Sequence, residues 1–177
     1  MKLRFELTQI DELAGRYDAT YDDEVIALKS EIDDNRFISK DQMWKIARWK
    51  SPRRAALIFK NPDGYVEETT RFALSTTSER ARIESLTILD GVSWPTASVV
   101  LHLYHKDPYP MLDFRALWSV SEDVPSQYDF DFWCKYVEFC RSIAEQANTN
   151  MRTLDRALWQ YSDEDTKKQT SERMMMP

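Results

Sequence analysis

The residues best placed to do chemistry surround one short punctuated segment, Leu89-Asp90-Gly91-Val92-Ser93, which leads into Trp94-Pro95-Thr96-Ala97 and an apolar helical stretch. A tight turn with a glycine, opening into the exposed start of a helix, presents several unpaired backbone N–H groups beside the positive helix end. That arrangement accepts a phosphate. A second signal is electrostatic. Residues 40–60 hold seven basic side chains, Lys40, Lys45, Arg48, Lys50, Arg53, Arg54 and Lys60, against one acid, Asp41, in a chain of net charge −6. The overall acidity argues against loose coating of DNA, while a local basic island can neutralise several phosphates. The alternative is a solvated helix face. His102, His105 and Asp107 have a spacing compatible with a metal, although three ligands in one segment beside a proline turn make a poor site. No metal site is expected.

These groups need a scaffold, and the composition limits what it can be. With 177 residues, 42% of them hydrophobic and 31% charged, the chain is long enough for one core and is neither a disordered polyampholyte nor a membrane protein. No apolar run approaches the roughly 18 residues of a membrane helix. The opening MKLRFELTQIDEL puts acids where a signal peptide is apolar, so the expected location is cytoplasmic, with no membrane partner. Gly15, Gly64 and Gly91 are the only glycines, which removes G-x-G-x-x-G and Walker loops and the nucleotide folds that use them. Cys134 and Cys140 cannot supply a disulfide framework, a four-cysteine zinc site or an iron–sulfur site. They fall on an apolar helix face, where free cysteine usually behaves as a small buried hydrophobe.

Scarce glycine and apolar spacings of three and four predict an all-α fold. The first clear helix signal is Asp22-Asp23-Glu24 before Val25, Ile26 and Leu28. Ser39-Lys40-Asp41-Gln42 has capping-box spacing, and Ser51-Pro52 restarts the chain as a cap followed by proline at the first helical position. Asn61-Pro62-Asp63-Gly64 reads as a turn, with helices following at about 65–75 and, from Thr77 or Ser78, about 79–88. After the apolar helix through Leu103, Asp107-Pro108-Tyr109-Pro110 must turn. Further helices are expected near 112–118, over about 129–147 with a broad apolar face, and after Asn150. Residues 1–162 are expected to form one helical domain. The stretch from Asp163, DEDTKKQTSERMMMP, shows no packing face and reads as a disordered tail.

At the hairpin the sequence resembles the helix-hairpin-helix DNA glycosylase superfamily, whose turn reads roughly L-x-G-V-G-x-x-T-A-x-x-L. Leu89, Gly91, Val92, Thr96, Ala97 and Val100 fit it. The segment Tyr109-Pro110-Met111-Leu112-Asp113-Phe114-Arg115-Ala116 is similar to the superfamily's proline, apolar residue, aspartate and following helix, and Asp113 lies 18 positions beyond Pro95, where the superfamily's optional catalytic lysine would stand. The flanks Arg48-Trp49-Lys50-Ser51-Pro52-Arg53 and Arg152-Thr153-Leu154-Asp155-Arg156 look like those of a bacterial branch.

The resemblance implies double-stranded DNA as partner, no cofactor, and a cleft between N-terminal and C-terminal groups of helices. It implies Asp113 as the carboxylate that stabilises the positive charge developing on the deoxyribose and orients or deprotonates water. Gly91, Val92, Ser93 and Thr96 would meet the phosphate, with Lys45, Arg48, Lys50, Arg53 and Arg54 on the DNA backbone. Trp44, Trp49, Trp94 and Tyr109 would be available to an extruded base, the other reading of such aromatics being core packing. The departures are informative. Pro95 at the lysine position excludes Schiff-base formation by that route, so a glycosylase here is monofunctional. Ser93 stands at the second hairpin glycine; in a left-handed backbone it would cost roughly 1 kcal/mol, whereas its hydroxyl could bond a phosphate or cap the helix. Asp113 itself has a bland alternative, capping a helix and pairing with an arginine. A non-catalytic DNA-binding or protein-interaction module on the same fold is the competing class.

Overall fold

The computed structural model describes the backbone of residues 1–174 and the side chains of residues 1–169, and every regular element among them is helical. In chain order these are α1 (Ile10–Arg16), α2 (Asp23–Ile26), α3 (Lys29–Asn35), α4 (Lys40–Lys50), α5 (Pro52–Ala55) and α6 (Tyr65–Ser75). They continue as α7 (Glu79–Thr87), α8 (Trp94–Tyr104), α9 (Phe114–Ser119), α10 (Phe130–Gln146) and α11 (Met151–Met174). Short 3-10 stretches stand at Leu7–Gln9, Ala19–Asp22 and Ala56–Lys60. No helix among the described residues is long and apolar enough to cross a membrane.

Local capping sets most of the helix starts. Ser39 and Gln42 form a complete capping box on α4: the Gln42 N–H donates to the Ser39 hydroxyl at 3.3 Å and the Ser39 N–H to the Gln42 side chain at 2.9 Å. Ser78 caps α7 by accepting from the Ala81 N–H, Asn150 accepts from Thr153 at the start of α11, and prolines occupy the first turns of α5 and α8. Among the described residues, three turns use a left-handed residue other than glycine: Arg36 (φ 61°) ends α3, Ser121 (φ 57°) follows α9 and Asn148 (φ 49°) follows α10.

The chain divides into two compact units. One comprises Ala19–Leu112 and Asp129–Asp131. Here α8 is the buried centre, with α3, α4 and α7 against it, and Ala97, Val99, Val100 and Leu101 fully enclosed. The Tyr104 hydroxyl donates to the Val25 carbonyl at 2.7 Å, and the Ile38 N–H donates to the Thr70 hydroxyl at 2.9 Å. These bonds fasten α2 and the α3–α4 connection to the core.

The other unit comprises Met1–Asp18, Asp113–Tyr128 and the chain from Phe132. In it α1 and α9 pack on α11. The first residues run alongside the end of α9, with Lys2 and Arg4 donating to the Val120 and Ser119 carbonyls. Helix α1 gave no clear sequence signal, its buried side being only Ile10 and Leu13. The expected tail from Asp163 is corrected as well. Helix α11 continues to Met174, and Asp163 is buried, paired with Arg115 at 3.2 Å and Lys167 at 2.6 Å. Glu164 pairs with Arg16 at 2.7 Å. Ion pairs rather than an apolar stripe hold this stretch, so hydrophobic periodicity does not reveal it. Residues 175–177 lie outside the described residues.

Candidate nucleic-acid interface and carboxylate

The α7–α8 turn forms as the sequence predicts. The Val92 N–H donates to the Leu89 carbonyl at 3.0 Å, and Gly91 adopts φ +87°. A Cβ on Gly91 would lie 3.0 Å from the Arg54 carbonyl oxygen, the Ile58 nitrogen and Ile58 Cδ1. The turn is therefore seated directly on the backbone of residues 54–58. Buried Asn61 locks the contact. Its amide donates to the Ile58 carbonyl at 2.8 Å and the Asp90 carbonyl at 3.0 Å, and its carbonyl accepts from the Asp90 N–H at 2.9 Å.

This seating brings part of the basic island beside the turn. Arg53, Arg54 and Lys60 are exposed and have no ion pair among the described residues; half-buried Lys45 has none either. Lys50 is half-buried too. Two members of the island are engaged elsewhere: Lys40 with Asp63 at 2.6 Å and Arg48 with Glu24 at 2.5 Å. Arg48 also lies over the Trp44 ring at 4.6 Å. Exposed Ile88, at 59%, immediately precedes the turn, and exposed Phe59, at 52%, adjoins Ile58 in the segment on which the turn is seated. Neither was picked out by motif, since each reads alone as a helix-face hydrophobe.

Ser93 sits at φ −107° and ψ 171°, ordinary extended backbone, so the left-handed strain considered for it is absent. Its hydroxyl makes no cap bond. The first N–H groups of α8 have no intrahelical acceptor and no side-chain cap, which leaves them for an anion. Two side-chain assignments are corrected. Thr96 is 0% exposed on the inward face of α8, and Val92 is buried beneath the turn. Only their backbones can meet a phosphate.

Tyr109 is corrected more sharply. At 0% exposure its hydroxyl accepts from Arg82 at 2.7 Å and donates to Glu79 at 2.8 Å, so its ring is core and cannot stack on a base. Trp49 is half-buried, its indole N–H donating to the Tyr21 carbonyl at 2.7 Å. Trp44 packs 6.0 Å from the Phe59 ring. Trp94 is half-buried at the first position of α8. The histidines are also engaged in the structure: His102 Nδ1 bonds the Tyr109 carbonyl at 2.6 Å, and the Asp107 N–H donates to His105 Nδ1 at 3.0 Å. Among the described residues no group of three or more His, Cys, Asp or Glu is placed to hold a metal. Cys140 is fully buried, burial pushing its thiol up, whereas Cys134 is half-buried with its thiol 3.6 Å from Glu138.

Asp113 belongs to the second unit. It is half-buried and caps α9, one carboxylate oxygen accepting from the Arg115 N–H at 2.9 Å. Tyr128 lies within its field: burial, and then the Asp113 charge, push that phenol up. Tyr128 is a member of this environment that sequence motifs do not single out.

No protein-family model matches the chain, and no curated protein does. Among solved structures it is similar to the 8-oxoguanine glycosylase/lyase of Methanocaldococcus jannaschii in complex with a 15mer DNA containing 8-oxoguanine, with a TM-score of 0.47 and 15% identity over 86% of this chain and 85% of that chain.

Proposed function

We propose that the protein is a monofunctional DNA glycosylase that binds damaged or modified double-stranded DNA and hydrolyses an N-glycosidic bond. The observation that carries the DNA half is the seating of the Gly91 turn on residues 54–58, which sets open helix-start N–H groups beside unpaired Arg53 and Arg54. Phosphate contacts of this kind fix a duplex in register without reading its sequence. The catalytic half rests on the sequence resemblance around Asp113. In the proposed step, the Asp113 carboxylate stabilises positive charge at C1′ and takes a proton from water; the water oxygen bonds C1′ as the base leaves with the bonding electrons. With Pro95 in place of an amine, no covalent adduct forms.

The test is incubation with a panel of lesion-containing duplexes followed by alkali. Strand breaks only after alkali, with no adduct trapped by borohydride, are the expected result. Borohydride trapping would refute monofunctional hydrolysis. DNA binding without abasic sites on any duplex would favour the second reading, a non-catalytic DNA-binding module, which the capping bond from Arg115 to Asp113 supports.

A further inference from the structure

The two legs of the hairpin meet another feature at their far ends. A cleft of about 790 Å³ opens there, lined from α3, the end of α6, the start of α7 and the residues just after α8. Helix α8 has 11 residues, so at 1.5 Å per residue the cleft stands roughly 15 Å from the turn. Ile32, Leu74 and Tyr104 give it an apolar floor.

Its charges do not balance. Three acids line it, and two have a cationic partner, Asp33 with Lys29 at 3.2 Å and Glu79 with Arg82 at 2.8 Å, while Asp107 lies beside His105, whose Nδ1 accepts from the Asp107 N–H at 3.0 Å. Arg36, Arg71 and Lys106 line it too and have no ion pair among the described residues, in a chain of net charge −6. Arg71 lies over the Phe37 ring at 4.6 Å. Arg82 is 5% exposed; its terminal nitrogens bond Glu79, the Tyr109 hydroxyl and the Thr76 carbonyl. Its Nε is buried without a hydrogen-bond partner. Five cations against three carboxylates leave the lining with an excess of two positive charges, which matches a dianion better than a single carboxylate, and arginine forks match phosphate oxygens.

We propose that this cleft binds a phosphate monoester of nucleotide size, its phosphate received by Arg36, Arg71 and Lys106 and its body lying on Ile32, Leu74 and Tyr104. The volume is within the range of small-ligand pockets. The phosphate belongs either to a free nucleotide or to the terminal nucleotide of a DNA strand. The site stands apart from the hairpin and does not rest on the glycosylase reading, so either can fail while the other holds.

Isothermal titration of the full chain with dAMP, deoxyadenosine, and a trinucleotide with and without a 5′-phosphate tests it. Expected is saturable dAMP binding about tenfold or more tighter than deoxyadenosine, as charge-assisted hydrogen bonds to a phosphate require. Arg36→Ala, Arg71→Ala and Lys106→Ala, all at the rim, should each weaken dAMP by about three- to tenfold with unaltered melting, while Lys135→Ala leaves it unchanged. A phosphorylated trinucleotide matching dAMP identifies a strand end; one binding far more weakly identifies a free nucleotide. Failure of dAMP to bind at millimolar concentration, equal binding of deoxyadenosine, or indifference to all three rim substitutions would overturn the proposal.

Discussion

The three glycines form a graded test of how the hairpin is seated. Gly91→Ala forces an L-residue to φ +87°, costing about 1–2 kcal/mol, and drives a Cβ to within 3.0 Å of two backbone atoms and Ile58 Cδ1, adding about 1–3 kcal/mol of overpacking. Gly64 has φ +78° with nothing within 4 Å of a built Cβ, so Gly64→Ala should show only the conformational part, about 1–2 kcal/mol. Gly15 lies in α1 with open space around it, and Gly15→Ala should stabilise by about 0.5–1 kcal/mol. Urea denaturation of the three variants reads this ordering directly, and thermal midpoints should fall by about 4–20 °C for Gly91→Ala at roughly 2–4 °C per kcal/mol. Adding Ile58→Val removes Cδ1 alone, so it should recover only a small part of the loss. If Gly91→Ala were no worse than Gly64→Ala, the turn would not rest on residues 54–58, and the argument setting Arg53 and Arg54 beside it would fall with it.

Three further outcomes are expected. Arg53→Ala and Arg54→Ala should each flatten the plot of log DNA affinity against log salt by about 0.9, whereas Arg48→Ala, already paired with Glu24, should change it less; slopes unchanged from the unsubstituted protein in all three would assign the island to a solvated face. Asp113→Asn should keep the α9 cap and most of the stability while abolishing base release, and Asp113→Ala should in addition lose about 1 kcal/mol; full activity in the Asn variant would remove Asp113 from the chemistry. Burial, and then the Arg82 charge, hold His105 below its ordinary 6.5. The unfolded chain therefore takes up a proton that the folded chain resists, and stability should decline as pH falls from about 6.5 through the lower folded value. His105→Asn should flatten the urea midpoint between about pH 8 and 5; an unchanged profile would contradict this.

Those features carried by short-range chemistry were legible before folding. Ser39 with Gln42, Ser78 and Pro52 mark helix starts because a cap or a first-turn proline needs only its immediate neighbours, and all three stand where expected. The Gly91 turn was legible for the same reason. What it rests on was not, since the Arg54 carbonyl and Ile58 belong to a distant segment that reads simply as basic helix. Tyr109 misled because an aromatic before a proline looks exposed in a turn, while its hydroxyl is enclosed by Arg82 and Glu79. Arg36, Arg71, Arg82 and Lys106 come from four separate segments, so no local pattern joins them.

Using Arg36, Ser121 and Asn148 as left-handed turn residues in a chain with 3 glycines has a consequence for the denatured ensemble. A glycine at each site would relieve native strain but would also widen the range of backbone states open to the unfolded chain, worth about 0.4–1 kcal/mol per position. At Ser121 the strain relieved, about 1–2 kcal/mol, exceeds that loss, and Ser121→Gly should raise the urea midpoint slightly. Asn tolerates the left-handed region more readily, so Asn148→Gly should come out slightly destabilising. Part of this protein's resistance to unfolding thus resides in the stiffness of its disordered chain.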